Sequence, residues 1–211
     1  MPFDEHMNEA FQAFDTGNFD SAEAQYQALL ETLAPEDADK RNSVLHMLGF
    51  VYAQQGKYAE ARASYLGLLD IATENTAKHI IYHQLGMVER MAGEDYAQAL
   101  VYLVEESALL TETMLAQRSA NHYEIGHVMM LMDDTDMATQ QFQEARDLAH
   151  TANDAICLAC AYRGLGDVAK QAGDVDSAKT HYKASKVQFM QAGDTIGASE
   201  IDTRLEGLTD G

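Results

Sequence analysis

Apolar and small residues recur along this chain in a unit of about forty residues. Four segments align directly: HMLGFVYAQQGKYAEARASY (46–65), HQLGMVERMAGEDYAQALVY (83–102), YEIGHVMMLMDDTDMATQQF (123–142) and RGLGDVAKQAGDVDSAKTHY (163–182). In each, apolar residues spaced three or four positions apart indicate two amphipathic helices separated by a short turn. The pattern therefore predicts a repeated helix-turn-helix unit.

Small and aromatic residues mark the same places in every copy. The anchor glycines are Gly49, Gly86, Gly126 and Gly166, separated by 37, 40 and 40 residues. Seven residues later comes a turn residue (Gly56, Gly93, Asp133, Gly173), and sixteen later an aromatic (Tyr65, Tyr102, Phe142, Tyr182). An N-terminal segment fits as a fifth copy if Ala10 replaces the anchor. We expect the small residues to let two helices approach closely and the aromatic to fill the space between pairs.

These residues resemble the tetratricopeptide repeat, in which a small residue follows leucine and is followed by glycine, alanine and an aromatic at fixed spacing. The repeat here is longer than usual and lacks the closing proline. It is similar to the variant repeats of Gram-positive peptide-sensing regulators, without an output domain. The resemblance implies an all-α, right-handed α-α superhelix that binds proteins or peptides.

The repeats divide the whole chain, 1–211, as a single solenoid domain. We expect five helix pairs, at about 3–33, 39–73, 76–113, 116–152 and 155–192, and a C-terminal capping helix at 195–208. The polar stretch 34–41 is interpreted as a loop within this domain.

Composition agrees with helices and excludes some partners. Proline occurs only twice, and the formal charge of −20 repels nucleic-acid phosphates and anionic membranes. No signal peptide or membrane span is evident, so a cytoplasmic protein is expected. Cys157 and Cys160 lie inside a helical segment and are expected to be buried, reduced thiols.

Helix periodicity assigns two faces to each first helix. Offsets −1, +2, +3 and +6 from the anchor should pack inward, as in the column Val51, Val88, Val128 and Val168, while offsets −7, −3, +1 and +4 should line a concave groove. The predicted peptide-binding residues are therefore Asn42, His46, Phe50, His79, His83, Met87, Arg90, Tyr123, His127, Met130, Arg163, Asp167 and Lys170. His122 falls one residue off this stripe and should be packed and hydrogen-bonded.

The groove residues suggest the chemistry of the partner. Aromatic and methionine side chains at one end, with arginines further along, suit an extended or helical peptide with apolar anchors and an acidic side chain or C-terminal carboxylate. If the histidines are charge partners, affinity for an acidic ligand should rise as the pH falls toward about 6.

Three other functions have weaker support in the sequence. The histidines could bind a metal, but no carboxylate or thiol stands beside them in a ligand pattern, so no cofactor is expected. No catalytic motif is present, and acidic pairs such as Glu105 and Glu106 are expected on an exposed face of the second helices, so an enzyme is not predicted. Alternatively, an apolar N-terminal face (Phe3, Phe11, Phe14) could assemble a homo-oligomer, such as a homodimer.

Overall fold

The computed structural model describes residues 2–208 as an all-helical chain. Within that range the helices are α1 (Phe3–Asp15), α2 (Phe19–Thr32), α3 (Ala38–Gln54), α4 (Tyr58–Ile71), α5 (Asn75–Ala92), α6 (Tyr96–Leu109), α7 (Leu115–Leu131), α8 (Thr135–Ala152), α9 (Ala155–Gln171), α10 (Val175–Ala192) and α11 (Thr195–Glu206). The predicted all-α class is confirmed. None of the described helices has the length and apolar character needed to cross a bilayer.

The chain divides into two compact units, Met1–Tyr102 (unit 1) and Leu103–Gly211 (unit 2). In unit 1, α1 packs on α2, α2 on α3, α3 on α4 and α4 on α5; in unit 2, each helix from α7 to α11 packs on the next, and α7 also contacts α9. The expectation of one continuous solenoid domain stays a prediction, and its residues 1 and 209–211 lie outside the described part of the chain.

Left-handed residues end the first helix of each pair, as the turn column predicts. Gly17, Gly56, Gly93 and Gly173 have φ between 70° and 79°, and Asp133 has φ 61°. Glycine adopts this conformation without a steric penalty, whereas aspartate accepts it at a modest cost.

Aspartate and asparagine side chains start many of the helices. Each accepts a hydrogen bond from a backbone N–H three residues later, which satisfies one of the free donors of the first turn. These capping residues are Asn18, Asp95, Asp134, Asp154, Asp174 and Asp194. Part of the acidic excess therefore serves helix capping.

Three of the anchor glycines, Gly49, Gly126 and Gly166, lie directly against the aromatic residue of the same repeat. A Cβ atom on Gly49 would be 2.6 Å from Cζ of Tyr65, and one on Gly166 would be 2.5 Å from Cδ1 of Tyr182. A Cβ on Gly126 would be 2.8 Å from Cε1 of Phe142. No side chain fits in this space, so the repeated glycine is explained by packing.

The third repeat departs from the predicted register. Its second helix begins ten residues after the anchor glycine, whereas the other three aligned copies begin theirs after nine. Tyr102 is consequently half-buried, and Leu103 is the fully buried residue that follows Ala99. The assignment of Tyr102 to the packed aromatic column was wrong, because one added residue rotates a helix by about 100°.

Glu106 is buried, contrary to the expectation of an exposed face. The same shift of one residue brings Glu106 to 2% exposure, while Glu105 remains exposed. The Glu106 carboxylate accepts a hydrogen bond of 2.7 Å from Nδ2 of Asn121, which also donates to the carbonyl of Leu103 at 2.8 Å. A buried acid of this kind needs such donors to offset its lost hydration.

Two further expectations are corrected by burial. Offset +6 does not pack inward in the fourth and fifth repeats, because Met132 and Ala172 are the exposed C-caps of α7 and α9. The N-terminal apolar face is also smaller than predicted. Phe3 and Phe14 pack against the core of unit 1, and only Phe11, at 49% exposure, remains on the surface.

Candidate functional site

An open apolar pocket lies in unit 1, where the first helices of three repeats meet. Its volume is about 460 Å³, which is in the range of small-ligand and side-chain pockets. It is lined by Met7 of α1, by Asn42, Ser43, His46 and Met47 of α3, by Leu68, Ile71 and Ala72 at the end of α4, and by Ala77, Ile80 and Ile81 of α5.

Two isoleucines of this pocket remain exposed to solvent. Ile71 is 58% exposed and Ile80 is 43% exposed, although Ile81 beside them is buried. Ile71 lies in the last turn of α4, and Ile80 lies in the second turn of α5, so the short connection between these helices holds both at the opening. Covering them would be favourable, since a fully buried isoleucine contributes about 1.5–3 kcal/mol.

An aromatic cluster adjoins the pocket through His46. The His46 ring lies 5.2 Å from Phe50 and 5.5 Å from Tyr65, both edge-on, and Phe50 lies 6.4 Å from Phe14. Such edge-to-face contacts fix the ring orientations. The predicted residues Asn42, His46 and Phe50 are thus brought together at one end of unit 1.

His46 is suited to act as a neutral group. Burial lowers the pKa of its imidazole below the ordinary value of 6.5. Burial thus disfavours the charged ring, and the expectation that His46 is a charge partner near pH 6 stays a prediction. A neutral imidazole can still donate and accept one hydrogen bond each.

The other predicted residues of unit 1 lie outside the pocket lining. His79 is buried at 8% exposure, whereas His83, Met87 and Arg90 are half-buried. The predicted residues did not include Ser43, Met47 and Ile80, which line the pocket from offsets −6 and −2. The available signal was the pair Ile80 and Ile81 in an otherwise polar first half of α5.

A hydrogen-bonded network occupies the corresponding stripe of unit 2. Tyr123 is only 9% exposed, so its expected open position was wrong. Its hydroxyl oxygen accepts bonds from Nη2 and Nε of Arg163 at 2.6 and 3.2 Å. Burial raises the pKa of Tyr123, so the phenol keeps its proton. Nε2 of His127 lies 2.8 Å from the same hydroxyl and can accept its proton when the ring carries its own proton on Nδ1.

The last helix completes this network. Glu200 of α11 lies 3.1 Å from Nη1 of Arg163, and Nε of Arg204 lies 3.3 Å from Oδ1 of Asp167. Asp167 also accepts a 2.7 Å bond from the hydroxyl of Tyr182. Two charges that were expected to face a ligand are therefore paired with α11. Met130 is half-buried and Lys170 is exposed.

His122 and the two cysteines have packing and hydrogen-bonding contacts within unit 2. His122 Nδ1 lies 2.7 Å from Oε1 of Gln141, which confirms a packed, hydrogen-bonded role. Cys157 and Cys160 are free and half-buried, and burial raises the pKa of Cys157 to about 12. Between residues 2 and 208, no three His, Cys, Asp or Glu side chains form a group able to hold a metal ion.

The comparisons with known proteins agree with this architecture. The family model described as tetratricopeptide repeat matches residues 43–75, which contain six of the pocket-lining residues. Residues 43–75 thus match one copy of this repeat. Solved structures extend the likeness over nearly the whole chain. A thermophilic tetratricopeptide-repeat protein of Thermus thermophilus has a TM-score of 0.66 at 17% identity and is covered over 99% of both chains.

Two other solved structures share the fold. A signal transduction ATPase of Pyrococcus horikoshii with a tetratricopeptide-repeat sensor has a TM-score of 0.70 at 13% identity, over 93% of this chain and 31% of that one. A Rap protein complexed with Competence and Sporulation Factor has a TM-score of 0.61 at 14% identity, over 98% and 70%. At these identities the likeness shows the tetratricopeptide-repeat fold. A search of the curated proteins finds no match.

Proposed function

We propose that this protein is a binding module, without catalytic activity of its own, that captures a peptide or a segment of a partner protein in the pocket of unit 1. The observation that carries the proposal is the open apolar pocket with Ile71 and Ile80 exposed at its mouth. Apolar side chains of a ligand would cover both isoleucines and bring hydrophobic stabilisation that the free protein forgoes.

Polar groups beside the pocket support a peptide as the ligand. The Asn42 amide offers a donor and an acceptor, and neutral His46 offers the same, which suits the N–H and C=O groups of a peptide backbone. Phe50 extends the surface with an aromatic face. Among the solved structures of this fold, one holds a bound factor, which supports binding as the general role.

In unit 2, Arg163 and Asp167 hold α11, because Arg163 is paired with Glu200 and Asp167 with Arg204. Ligand binding is left to unit 1, with His83, Met87 and Arg90 as further candidates on α5. We place the protein in the cytoplasm, since its two thiols are free and such thiols persist in a reducing compartment.

A random-peptide display selection on the wild-type protein tests this function. Selected peptides should carry apolar anchors and bind the wild type, and the Ile80→Gln variant should bind at least tenfold more weakly in isothermal titration. Ile156→Gln is the matched control, because Ile156 is equally exposed at 42% but lies on α9. The proposal fails if no peptide is enriched, or if both variants bind the selected peptides as the wild type does.

A further inference from the structure

The side chains that line the pocket of unit 1 carry no formal charge. Aspartate, glutamate, lysine and arginine make up 23% of the chain, yet none of them is among the eleven described residues of the lining. The one titratable side chain of this lining is His46, and burial lowers its pKa, which favours the neutral ring at neutral pH. A charged group that entered the pocket would therefore lose its hydration without meeting an opposite charge.

Charges of both signs neighbour the lining along the chain, and the two cations next to it on α3 have partners elsewhere. The Arg41 guanidinium donates to the carbonyls of Leu30 and Leu33 at 3.3 and 3.0 Å. Nζ of Lys40 lies 3.5 Å from a carboxylate oxygen of Asp37. Both cations are thus engaged outside the lining and do not supply it with a charge.

Helix α3 supplies the polar part of the lining. Asn42 and His46 are four residues apart and so lie on the same face of this helix, with Ser43 beside them. The Ser43 hydroxyl donates to the carbonyl of Asp39 at 2.9 Å, which leaves its oxygen as an acceptor. Between residues 2 and 208, the Asn42 amide and the His46 ring nitrogens have no hydrogen-bond partner. This face therefore offers neutral donors and acceptors to a ligand.

The other helices contribute only apolar side chains to the lining. They are Met7 of α1, Leu68, Ile71 and Ala72 at the end of α4, and Ala77, Ile80 and Ile81 of α5. Covering such side chains with apolar surface is favourable, because water is released. An occupant that uses the whole lining therefore presents aliphatic side chains to α4 and α5, and neutral polar groups to α3.

We propose that the pocket of unit 1 recognises an uncharged segment of a partner protein, with aliphatic anchors for α4 and α5 and neutral amide groups for α3. This inference rests on the proposed function and departs from the acidic ligand that the sequence suggested. Asparagine and glutamine side chains, like the peptide backbone, both donate and accept, so they match Asn42 and neutral His46. A carboxylate or an ammonium group in the same place is desolvated without a charge partner and binds more weakly.

The test uses three synthetic twelve-residue peptides with the same core, Leu-Leu-X-Leu-Leu, in which X is glutamine, glutamate or lysine. Binding to the full-length protein is measured by fluorescence anisotropy at about pH 8 and about pH 6, in about 50 mM and about 500 mM NaCl. In the higher salt concentration, which screens charges outside the pocket, the glutamine peptide should bind roughly tenfold more tightly than the other two. Its own affinity should change by less than about twofold between the two salt concentrations, because no ion pair contributes to it.

Substitutions locate the polar face on α3. Asn42→Leu should lower affinity for the glutamine peptide about fivefold, and should not weaken a fourth peptide with leucine at X, because that peptide has no group to pair with the amide. Gln188→Leu removes a half-buried amide on α10 and serves as the control, with no change expected. Ile80→Gln should weaken the glutamine and leucine peptides alike. Circular dichroism of each variant checks that the fold is retained.

The outcomes separate this inference from the proposed function. If the glutamate peptide binds more tightly than the glutamine peptide at either pH, the pocket takes an acidic ligand and the inference is wrong. Tightest binding of the lysine peptide in high salt contradicts it in the same way. Equal affinities for all the peptides, each weakened by Ile80→Gln, would mean that the pocket reads only the aliphatic anchors, so the neutral match is refuted. If none of the peptides binds, the inference falls, and the display selection decides the proposed function independently.

Discussion

Replacing Gly49 by alanine tests how closely the two helices of a repeat approach each other. The new Cβ would lie 2.6 Å from Cζ, 2.8 Å from Cε2 and 3.0 Å from Cε1 of Tyr65. Tyr65 is fully buried and its hydroxyl donates to the carbonyl of His46 at 3.3 Å. The ring therefore cannot swing aside, so α3 and α4 would have to move apart.

The expected change in the free energy of unfolding of Gly49→Ala is the difference between two effects. Overpacking a well-packed core costs about 1–3 kcal/mol. Alanine in a helix interior recovers about 0.5–1 kcal/mol relative to glycine. We expect a net loss of about 1–2 kcal/mol. Gly67→Ala on α4 supplies the matched control, because a Cβ there meets nothing within 4 Å and should stabilise the protein by about 0.5–1 kcal/mol.

Native-state hydrogen exchange of the amides of α3 and α4 is the assay, since it reports on unit 1 by itself. Protection should fall in Gly49→Ala and rise in Gly67→Ala. In a Tyr65→Leu background the penalty of Gly49→Ala should become smaller, because the two sites are coupled. Equal stabilisation by both alanines would refute the packing explanation of the repeated glycine.

Three other substitutions have defined outcomes in denaturant titrations. Arg62→Met should lower the free energy of unfolding by about 2–3 kcal/mol. The substitution leaves the Glu89 carboxylate, whose side chain is 3% exposed, without the guanidinium that donates to both its oxygens at 2.6 Å. An unchanged free energy of unfolding would contradict this. Asp154→Ala should cost about 1 kcal/mol by removing the cap on the Cys157 amide, and Asp154→Asn should cost less. His46→Gln should flatten the loss of stability between pH 7.5 and 5.5; an unchanged slope would contradict it.

The sign of that pH effect follows from the lowered pKa of His46. The unfolded chain binds a proton near pH 6.5, but the folded protein binds it only at a lower pH. The stabilising contribution is therefore complete above pH 6.5 and is lost as the pH falls toward the folded value. His181, whose pKa is lowered by burial and by Arg146, adds a contribution of the same sign.

The fold could be predicted because the same spacing of small, turn and aromatic residues recurs in the aligned repeats. Glycine and aspartate tolerate left-handed φ values, so the turns at Gly56 and Asp133 could be predicted from residue type. A repeated glycine facing a repeated aromatic likewise indicated the close contact of Gly166 with Tyr182. In the third repeat the alignment was out of register by one residue, because α6 begins one residue later than the second helices of the other copies. The burial of Glu106 follows from the same one-residue shift, but its partner Asn121 lies on the next helix and was not given by the repeat pattern.

The site was harder to predict because offsets describe one helix, whereas a pocket is formed by several. Asn42 and His46 were predicted from their offsets of −7 and −3 on the first helix. Ile71 was not predicted, because it lines the same pocket from the end of α4, a second helix. The charge of Arg163 was expected to be available to a ligand, and only the packing of α11 brings Glu200 to it. Such pairings between helices depend on tertiary geometry that a repeat pattern does not specify.

Isoleucine methyl NMR reports whether a bound peptide occupies the pocket of unit 1. The chain has seven isoleucines, three of which line the pocket (Ile71, Ile80, Ile81) while four lie elsewhere (Ile125, Ile156, Ile196, Ile201). Titration with a display-selected peptide should shift the three pocket methyl signals and leave Ile156, Ile196 and Ile201 in place. Saturable binding that leaves Ile71, Ile80 and Ile81 unshifted would contradict the account.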